Sequence, residues 1–414
     1  MKMRLVNGLD REYLGLLAAL LVATLSVNSM PLLVGSTISG LKLNVANAGL
    51  MVSNELGAVA LTTLCISKNL LAFSLPSLGL WGGALAFLGN ISCWLTIVVP
   101  NSSFPPLSLN GQPMDGAVGM LALGRTMAGV GAGAALAAFS GSIASVMEPD
   151  RKYAKLLVTN VVVIGLAMTT LIPHLQQQFS YRGAFTALAV LDLSALAFMR
   201  YLPVRTHDRE GEKRPLKNKV AGTLLIISLS IFAIGEGAVW AFVEQVGQTI
   251  DFNRNQWGVA LSSVIGVTSM LGVVAGAGAA AVLGLRYGRN IPLLLALLVF
   301  GVAGPLLSNC TSHAAYALLI FGFIMSQYFL FPYYMGAAAE LDSTGRWAAA
   351  STGMYLLGST FGPAAAGQLI QMTASFQSVG WMVLATSAIP MLMMHVMFAG
   401  RRSERRFNRN AQAS

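Results

Sequence analysis

The stretch from Gly116 to Met147 constrains the fold most, because Arg125 is the only charged residue among its 32 residues. As a helix, the stretch is long enough to cross a hydrocarbon core of about 30 Å, which needs roughly 20 residues. Arg125 would then lie deep in the membrane, where a charge needs a partner and a place inside the helix bundle. Three small residues, Gly129, Gly131 and Gly133, follow it and allow another helix to approach closely. The rest of the chain must supply a group that neutralises this arginine.

Apolar segments of spanning length recur along the whole chain. Hydrophobic residues make up 55% of its 414 residues and charged residues only 10%, which is far from the composition of a soluble domain. The sequence therefore predicts an all-α polytopic membrane protein that lies in a lipid bilayer. Twelve predicted spans cover about residues 14–34, 45–67, 77–99, 116–138, 156–174, 183–202, 220–246, 257–283, 291–308, 313–336, 347–371 and 378–399.

The positions of Lys and Arg predict how these helices are oriented. Apart from Arg125, all but three of the 26 basic residues lie at the termini or in the even-numbered loops. The three exceptions are Lys42, Arg182 and Arg254. Because basic residues concentrate on the cytoplasmic side of membrane proteins, both termini are expected in the cytoplasm. We also expect the membrane to be a bacterial inner membrane. This distribution favours topology signals over a basic patch, so no nucleic-acid partner is expected.

Two short internal matches indicate that the chain is a duplication. Leu43–Gly49 parallels Phe252–Gly258, and Asp150–Ala154 parallels Thr344–Ala348. Such repeats are common in transporter folds. We therefore expect twelve transmembrane helices in two pseudo-symmetric six-helix halves. The predicted parts are an N-terminal bundle at 1–202, a cytoplasmic linker at 203–219, a C-terminal bundle at 220–400 and a basic cytoplasmic tail at 401–414.

Twelve helices in two repeated halves with a basic central loop resemble the major facilitator superfamily of secondary transporters. Arg125 with Gly129 and Gly133 is similar to that superfamily's motif in helix 4, and Tyr181–Phe185 resembles its motif between helices 5 and 6. The loop at 68–77 departs from the family, because it has one base and lacks the usual aspartate. The glycine-proline string that drug antiporters carry in helix 5 is also missing there, and a similar string ends at Gly362 and Pro363 in helix 11.

The resemblance implies a secondary transporter that moves a small organic solute by alternating access and binds it near the bilayer midplane between the halves. Proton coupling is our first expectation. The alternatives are a drug or metabolite efflux antiporter, an uncoupled facilitator and a non-transporting membrane sensor. We expect a monomer without enzymatic activity, cofactor or metal, since the sequence has no nucleotide-binding loop and no metalloprotease motif. Its three cysteines show no paired spacing.

Four acids lie within the predicted spans, and two of them belong to the first half. In the superfamily's arrangement helix 4 lines the central cavity and helix 2 flanks it, so the resemblance implies that Glu55 in helix 2 can meet Arg125. A carboxyl group whose surroundings alternate between wet and dry can bind and release a proton, so Glu55 and Arg125 are candidates for proton coupling. Arg125 is also a candidate anchor for an anionic substrate group. The alternative is a static ion pair that holds helices 2 and 4 in register. Asp192, in helix 6, is expected to make only a polar contact inside its half.

The other two acids, Glu236 and Glu244, lie eight residues apart in helix 7 with Trp240 between them. Glu236 is flanked by Gly235 and Gly237, which permit local unwinding of a membrane helix. We predict Glu236 as a proton-coupling residue, and Trp240 and Glu244 as substrate contacts. A solvated position at the mouth of the cavity is the alternative for Glu244.

Further substrate contacts are predicted in helices 1 and 10. Asn28 precedes Pro31, whose missing N–H frees a backbone carbonyl, although helix kinking alone also explains the proline. Gln327 and Tyr328 lie near the middle of helix 10, where polar-edged rings suit an amphipathic organic molecule. Aromatic packing is the alternative for these two residues.

Overall fold

The computed structural model describes the backbone of residues 2–96, 108–109, 112–113, 116–143, 146, 149–203, 219–252, 258–341 and 346–413. Most of the predicted linker, residues 204–218, lies outside the described residues. The same holds for the side chains of the predicted basic tail, whose backbone continues the last helix. The residue bounds of the two halves and of the linker stay predictions.

Fourteen α-helices occur in the described ranges. Two membrane crossings are each divided into two helices: Lys2–Asn28 with Met30–Leu41, and Pro149–Leu166 with Ile172–Phe179. A π-helical turn at Ala167–Leu171 joins the second pair. The loop before the helix Gly116–Ile143 carries two short antiparallel strands, β1 (Ser108–Leu109) and β2 (Gln112–Pro113). In chain order the helices are α1 (Lys2–Asn28), α2 (Met30–Leu41), α3 (Val45–Lys68), α4 (Leu75–Leu95), α5 (Gly116–Ile143), α6 (Pro149–Leu166), α7 (Ile172–Phe179), α8 (Arg182–Met199), α9 (Lys219–Thr249), α10 (Leu261–Leu283), α11 (Asn290–Ser308), α12 (His313–Leu341), α13 (Arg346–Thr373) and α14 (Gln377–Ala413).

The predicted all-α membrane fold is confirmed. Among the described residues, 11 helices are long and apolar enough to cross a membrane. The remaining predicted span, 347–371, corresponds to α13, which is long enough but less apolar. The helix α13 can be less apolar than the other spans because it packs against both α3 and α9 and is covered by protein on these sides.

The two halves repeat the same pattern of helix packing. In the first half α4 packs against α5 and α8, and α1 packs against α8. Six crossings later in the chain, α11 packs against α12 and α14, and α9 packs against α14. The pair α3 and α5 likewise has its counterpart in α10 and α12. The predicted pseudo-symmetry is therefore present in the packing itself. We call the side where α1 begins the termini side and the opposite side the distal side.

The glycines after Arg125 let α5 approach two neighbours at backbone distance. Gly129 and Gly133 face the backbone of α3, where a Cβ atom would collide with the carbonyl oxygens of residues 55 and 59. Gly131 points to the other side, against the backbone of Gly82 and Ala86 in α4. Because these contacts involve backbone atoms of both helices, no side-chain rotation can make room for a residue larger than glycine at these positions.

Pro31 interrupts the first crossing and frees a carbonyl on the distal half of the bundle. Proline has no N–H, so the carbonyl of Val27, four residues earlier, loses its partner in the helix. The helix breaks at Ser29, between α1 and α2. The indole Nε1 of Trp240, which belongs to α9 in the other half, donates to the Val27 carbonyl at 3.0 Å. The broken helix thus contributes a hydrogen bond between the halves.

A second proline creates a similar contact. Pro173 lies one turn after Thr169, whose carbonyl accepts a hydrogen bond from Ser263 Oγ of α10 at 2.9 Å. Next to Pro363 in α13, the backbone N–H of Ala364 donates to Ser53 Oγ of α3, also at 2.9 Å. Together with the bond from Trp240, these are the hydrogen bonds between the halves within the described ranges. All of them lie on the distal half of the bundle.

Replacing Gly131 by Ala is expected to destabilise the protein, because the new methyl group meets backbone atoms of α4 that cannot move aside. Overpacking of this kind costs about 1–3 kcal/mol, and it opposes the roughly 1 kcal/mol that Ala gains over Gly in a helix. Gly119, in the same helix, has open space at its Cβ position. Gly119→Ala should therefore leave the thermal unfolding midpoint unchanged or raise it. Equal midpoints for the two variants would contradict the close packing of α4 and α5.

Candidate functional site

Arg125 and Glu55 form a buried ion pair at the centre of the first half. Nε of Arg125 donates to Oε2 of Glu55 at 2.9 Å, and one terminal nitrogen contacts Oε1. The same nitrogen also contacts Ser26 Oγ of α1. Arg125 is fully buried, and Glu55 is 4% exposed. Since Gly129 brings α5 against the backbone of Glu55, the close packing of the helices places the two charges together.

Two further polar residues extend this pair across the bundle. The other terminal nitrogen of Arg125 donates to Oδ1 of Asn90 in α4 at 2.8 Å. The Asn90 amide in turn donates to Oδ2 of Asp192 in α8 at 2.8 Å. Asn90 and Asp192 are both buried. We refer to Ser26, Glu55, Asn90, Arg125 and Asp192 as the arginine cluster; it joins five helices of the first half.

Glu236 lies at the centre of a separate cluster in the second half. Its Oε1 accepts a hydrogen bond from Gln327 Nε2 of α12 at 2.9 Å, and its Oε2 accepts one from the Tyr355 hydroxyl of α13 at 3.0 Å. Gln327 Nε2 also lies 3.3 Å from the Tyr355 hydroxyl. Glu236 is buried, and both of its donors are neutral. We call Glu236, Gln327 and Tyr355 the Glu236 cluster.

The glycines beside Glu236 pack against neighbouring helices, and α9 is not unwound there in this structure. The helix α9 is continuous from Lys219 to Thr249. A Cβ atom on Gly235 would collide with Thr386 of α14, and one on Gly237 would approach the carbonyl of Ser359 in α13. The glycines therefore allow α9 to pack closely between two neighbours while its hydrogen bonding stays helical.

Trp240 and Glu244 both contact the first crossing, whereas Glu236 contacts α12 and α13. The Trp240 side chain donates to the Val27 carbonyl and is 7% exposed. The Glu244 carboxyl group lies against Gly35 of α2 and is half-buried. Its Oε1 accepts a long hydrogen bond of 3.4 Å from Gln248, and its Oε2 has no hydrogen-bond partner. The two residues thus connect α9 with the first crossing on the distal half of the bundle.

The remaining predicted site residues lie on α1, α12 and α13. The Asn28 amide donates to the carbonyl of Thr24 in its own helix at 2.8 Å. Tyr328 is half-buried on α12, next to Gln327 in sequence. Gly362 packs against the backbone of α9, and the carbonyl of Pro363 lies against Gly49 of α3. The glycine-proline string thus allows α13 to contact both halves.

Asn90 and Tyr355 are site residues that the sequence reasoning missed. Asn90 is the only amide side chain in the apolar helix α4, and this isolation within a membrane span is the signal that could have found it. Tyr355 gives no comparable signal, because a tyrosine in an apolar helix is common and its partner lies 119 residues away. For Asp192 the sequence indicates a polar contact, but the link to Arg125 runs through Asn90 and cannot be read from its own helix.

The two clusters differ in their charge. The arginine cluster holds one guanidinium and two carboxyl groups, whereas the Glu236 cluster holds one carboxyl group with neutral donors. No group of three or more metal-ligating side chains occurs in the described part of the chain. The arrangement can bind a proton or a cationic group at Glu236 and can hold fixed charge around Arg125.

No protein-family model matches the sequence, and no curated protein matches it either. Solved structures do resemble the chain. The nucleoside transporter NupG, solved in a mutant form, superposes with a TM-score of 0.71 at 13% identity, over 94% of this chain and 99% of that one.

Two further structures show the same similarity. A D-xylose-proton symporter gives a TM-score of 0.67 at 15% identity, over 94% of this chain and 96% of that one. The peptide transporter POT in complex with sulfate gives 0.67 at 14% identity, over 94% and 95%. Nearly the whole chain therefore shares the fold of these proteins.

Removing Arg125 alone is expected to destabilise the protein strongly. The variant Arg125→Met leaves the Glu55 carboxylate buried without a cation, which typically costs about 3–5 kcal/mol. The double variant Arg125→Met/Glu55→Leu should recover part of this loss, because it removes both charges. Denaturant unfolding of the purified protein in detergent measures the difference.

The matched control is the ion pair between Lys152 and Glu12, whose side chains are 21% and 29% exposed. Lys152→Met should cost no more than about 1 kcal/mol, since water screens this pair. A double variant less stable than Arg125→Met, or equal losses at the two pairs, would contradict the ionic role of Arg125.

Proposed function

We propose that this chain, which has the fold of the major facilitator superfamily, is a secondary transporter that moves a small organic solute by alternating access and is coupled to protons. The observation that carries the proposal is the Glu236 carboxyl group, buried near the middle of α9 and held by neutral donors alone. The lipid bilayer, protons and the solute are its proposed partners. We propose a monomer in a bacterial inner membrane with both termini in the cytoplasm, and no enzymatic activity.

The surroundings of Glu236 support proton binding. An ionised carboxylate in a buried site is costly unless a cation or enough hydrogen-bond donors compensate for its lost hydration. Gln327 and Tyr355 supply one donor each, and no basic residue within the described ranges forms an ion pair with Glu236. Protonation removes the uncompensated charge while the side chain stays in place. A change in the exposure of Glu236 to water therefore changes its affinity for a proton.

The contacts between the halves support alternating access. The described hydrogen bonds that hold the distal side closed are few, and two of them use carbonyls next to proline breaks. A hydrogen bond contributes only about 1 kcal/mol net, so these contacts can open and re-form without unfolding a helix. The arginine cluster lies entirely within the first half, and this half can move as a unit. Arg125 and Glu55 are its proposed proton-coupling members, and Arg125 is also a proposed anchor for an anionic substrate group.

The proposed substrate contacts are Gln327 and Tyr328 beside Glu236, together with Asn28, Trp240 and Glu244 once the distal contact opens. An unpaired carboxylate also suits a cationic amine, which favours the second candidate function, exchange of an organic cation for a proton. An uncoupled facilitator and a non-transporting sensor are rival functions. Neither of them requires Glu236 to change its protonation state.

Replacing Glu236 by Gln is expected to abolish solute-driven proton movement, because an amide keeps the shape of the side chain but cannot bind and release a proton. The measurement uses proteoliposomes with an imposed pH gradient, and nucleosides, pentoses, dipeptides and organic amines as test solutes. Exchange of labelled solute should persist in Glu236→Gln. The control is Glu340→Gln, which removes a partly exposed acid on α12 that pairs with Arg289.

The direction of proton movement separates the two candidate functions, since symport and antiport move protons in opposite directions relative to the solute. Solute flux that ignores the pH gradient in the parent protein would contradict coupling. So would a Glu236→Gln variant that moves protons as well as the parent protein does.

A further inference from the structure

Asp192 is a buried carboxyl group that the proposed function does not use. It lies on α8 and is 2% exposed, so water compensates little of its charge. Its Oδ2 accepts one hydrogen bond, from the Asn90 amide at 2.8 Å. Asn90 stands between Asp192 and the guanidinium group, and no guanidinium nitrogen donates to Asp192 directly.

Arg125 already has its counter-ion. Its Nε and one terminal nitrogen engage both oxygens of Glu55, which is the bidentate geometry of a guanidinium with a carboxylate. The other polar contacts of its terminal nitrogens go to the neutral groups of Ser26 and Asn90. With Glu55 ionised, the pair is neutral. A second ionised carboxyl group would give the buried cluster one excess negative charge.

No other cation in the described structure neutralises Asp192. The helices packed against α8 are α1, α2, α4 and α7. The basic side chains described on these helices and on α8 lie towards the helix ends, where Arg11 stacks on Tyr201, Arg182 stacks on Trp94, and His174 contacts Gln178. The other titratable groups that face the cluster are Glu55 and the Cys93 thiol, which contacts the carbonyl of Leu121.

A small cavity lies beside the carboxyl group. Its volume is about 10 Å³, close to the least space that admits one water molecule, and its lining includes Ser26, Asn90 and Asp192. The cavity thus offers space for one water molecule beside the carboxyl group, and this water molecule is the proposed acceptor of its proton.

We propose that Asp192 is a proton-binding site of the first half. In the conformation described, Glu55 is ionised as the partner of Arg125, Asp192 carries the proton, and the Asn90 amide lies between Asp192 and the guanidinium group. Release of the proton leaves the carboxylate and transfers the proton to water in the adjoining cavity. The part this site plays in transport rests on the proposed function, whereas its occupancy by a proton does not.

Infrared spectroscopy of the purified protein tests the proposal without any transport assay. A protonated carboxyl group has a C=O stretch that an ionised carboxylate lacks. Protein labelled with ¹³C in the side-chain carboxyl group of aspartate should show an isotope-shifted band of this kind at neutral pH. Asp192 is the only aspartate within the predicted spans, so the band reports this residue. A second sample, labelled with ¹³C in the side-chain carboxyl group of glutamate instead of aspartate, identifies any infrared band of a protonated carboxyl group that comes from Glu236 or Glu244.

The variant Asp192→Asn should lose the aspartate band completely, and Ser194→Ala, an exposed position on the same helix, should keep it. Glu55→Gln should also lose it, because Asp192 must then ionise to balance Arg125. A parent protein with no protonated aspartate band at neutral pH would overturn the proposal, as would a band that persists in a folded Asp192→Asn variant. Either result is independent of whether Glu236 couples transport to protons.

Discussion

A guanidinium group enclosed by five helices sets the conditions for the rest of the first half. Arg125 cannot be left without partners in the interior of a membrane protein, since every unsatisfied donor there is costly. Glu55, Asn90 and Ser26 supply those partners from three helices. They reach the guanidinium because α5 carries glycines on two faces, which bring α3 and α4 to backbone contact. Helix packing and charge neutralisation therefore depend on each other.

The second half uses the same scaffold for a different electrostatic arrangement. The helix α12 is the counterpart of α5 in the packing, and it contributes the neutral amide of Gln327 to Glu236. Glu236 therefore receives neutral hydrogen bonds, whereas Glu55 receives a cation. The pseudo-symmetric fold thus holds an ion pair in one half and an unpaired acid in the other. This asymmetry is the physical basis for proposing Glu236 as a proton-coupling residue.

Prolines provide the contacts between these halves. Pro31 and Pro173 each lie one turn after a carbonyl that accepts a hydrogen bond from the opposite half. A helix without such breaks would satisfy its carbonyls internally and offer the partner no acceptor. The contacts are consequently built from backbone atoms at fixed places on the helices. They can break without leaving a buried side-chain charge unpaired.

Charge and hydropathy in the sequence predicted the helical membrane fold and the two-fold repeat, because both follow from spacing along the chain. The pairing of Arg125 with Glu55 was implied by the family resemblance, which places helix 2 beside helix 4, and the structure shows the pair. The freed carbonyl before Pro31 and the side chain of Trp240 were both recognised, but as separate substrate contacts. Their mutual hydrogen bond depends on how two distant helices face each other, which periodicity does not contain. For the same reason, periodicity does not predict the hydrogen bond between Tyr355 and Glu236.

We propose that protonation of buried acids controls which side of the bundle is open. A distance measurement at different pH values tests this directly. Spin labels at Ser39→Cys and Thr249→Cys, exposed positions near the distal ends of α2 and α9, report the distance between the halves. The exposed Cys65 and half-buried Cys310 are first replaced by Ser. We predict a short and a long distance population whose ratio changes between acidic and alkaline pH, and a loss of most of this change in Glu236→Gln. A single distance population that is the same at every pH in the parent protein would contradict the account.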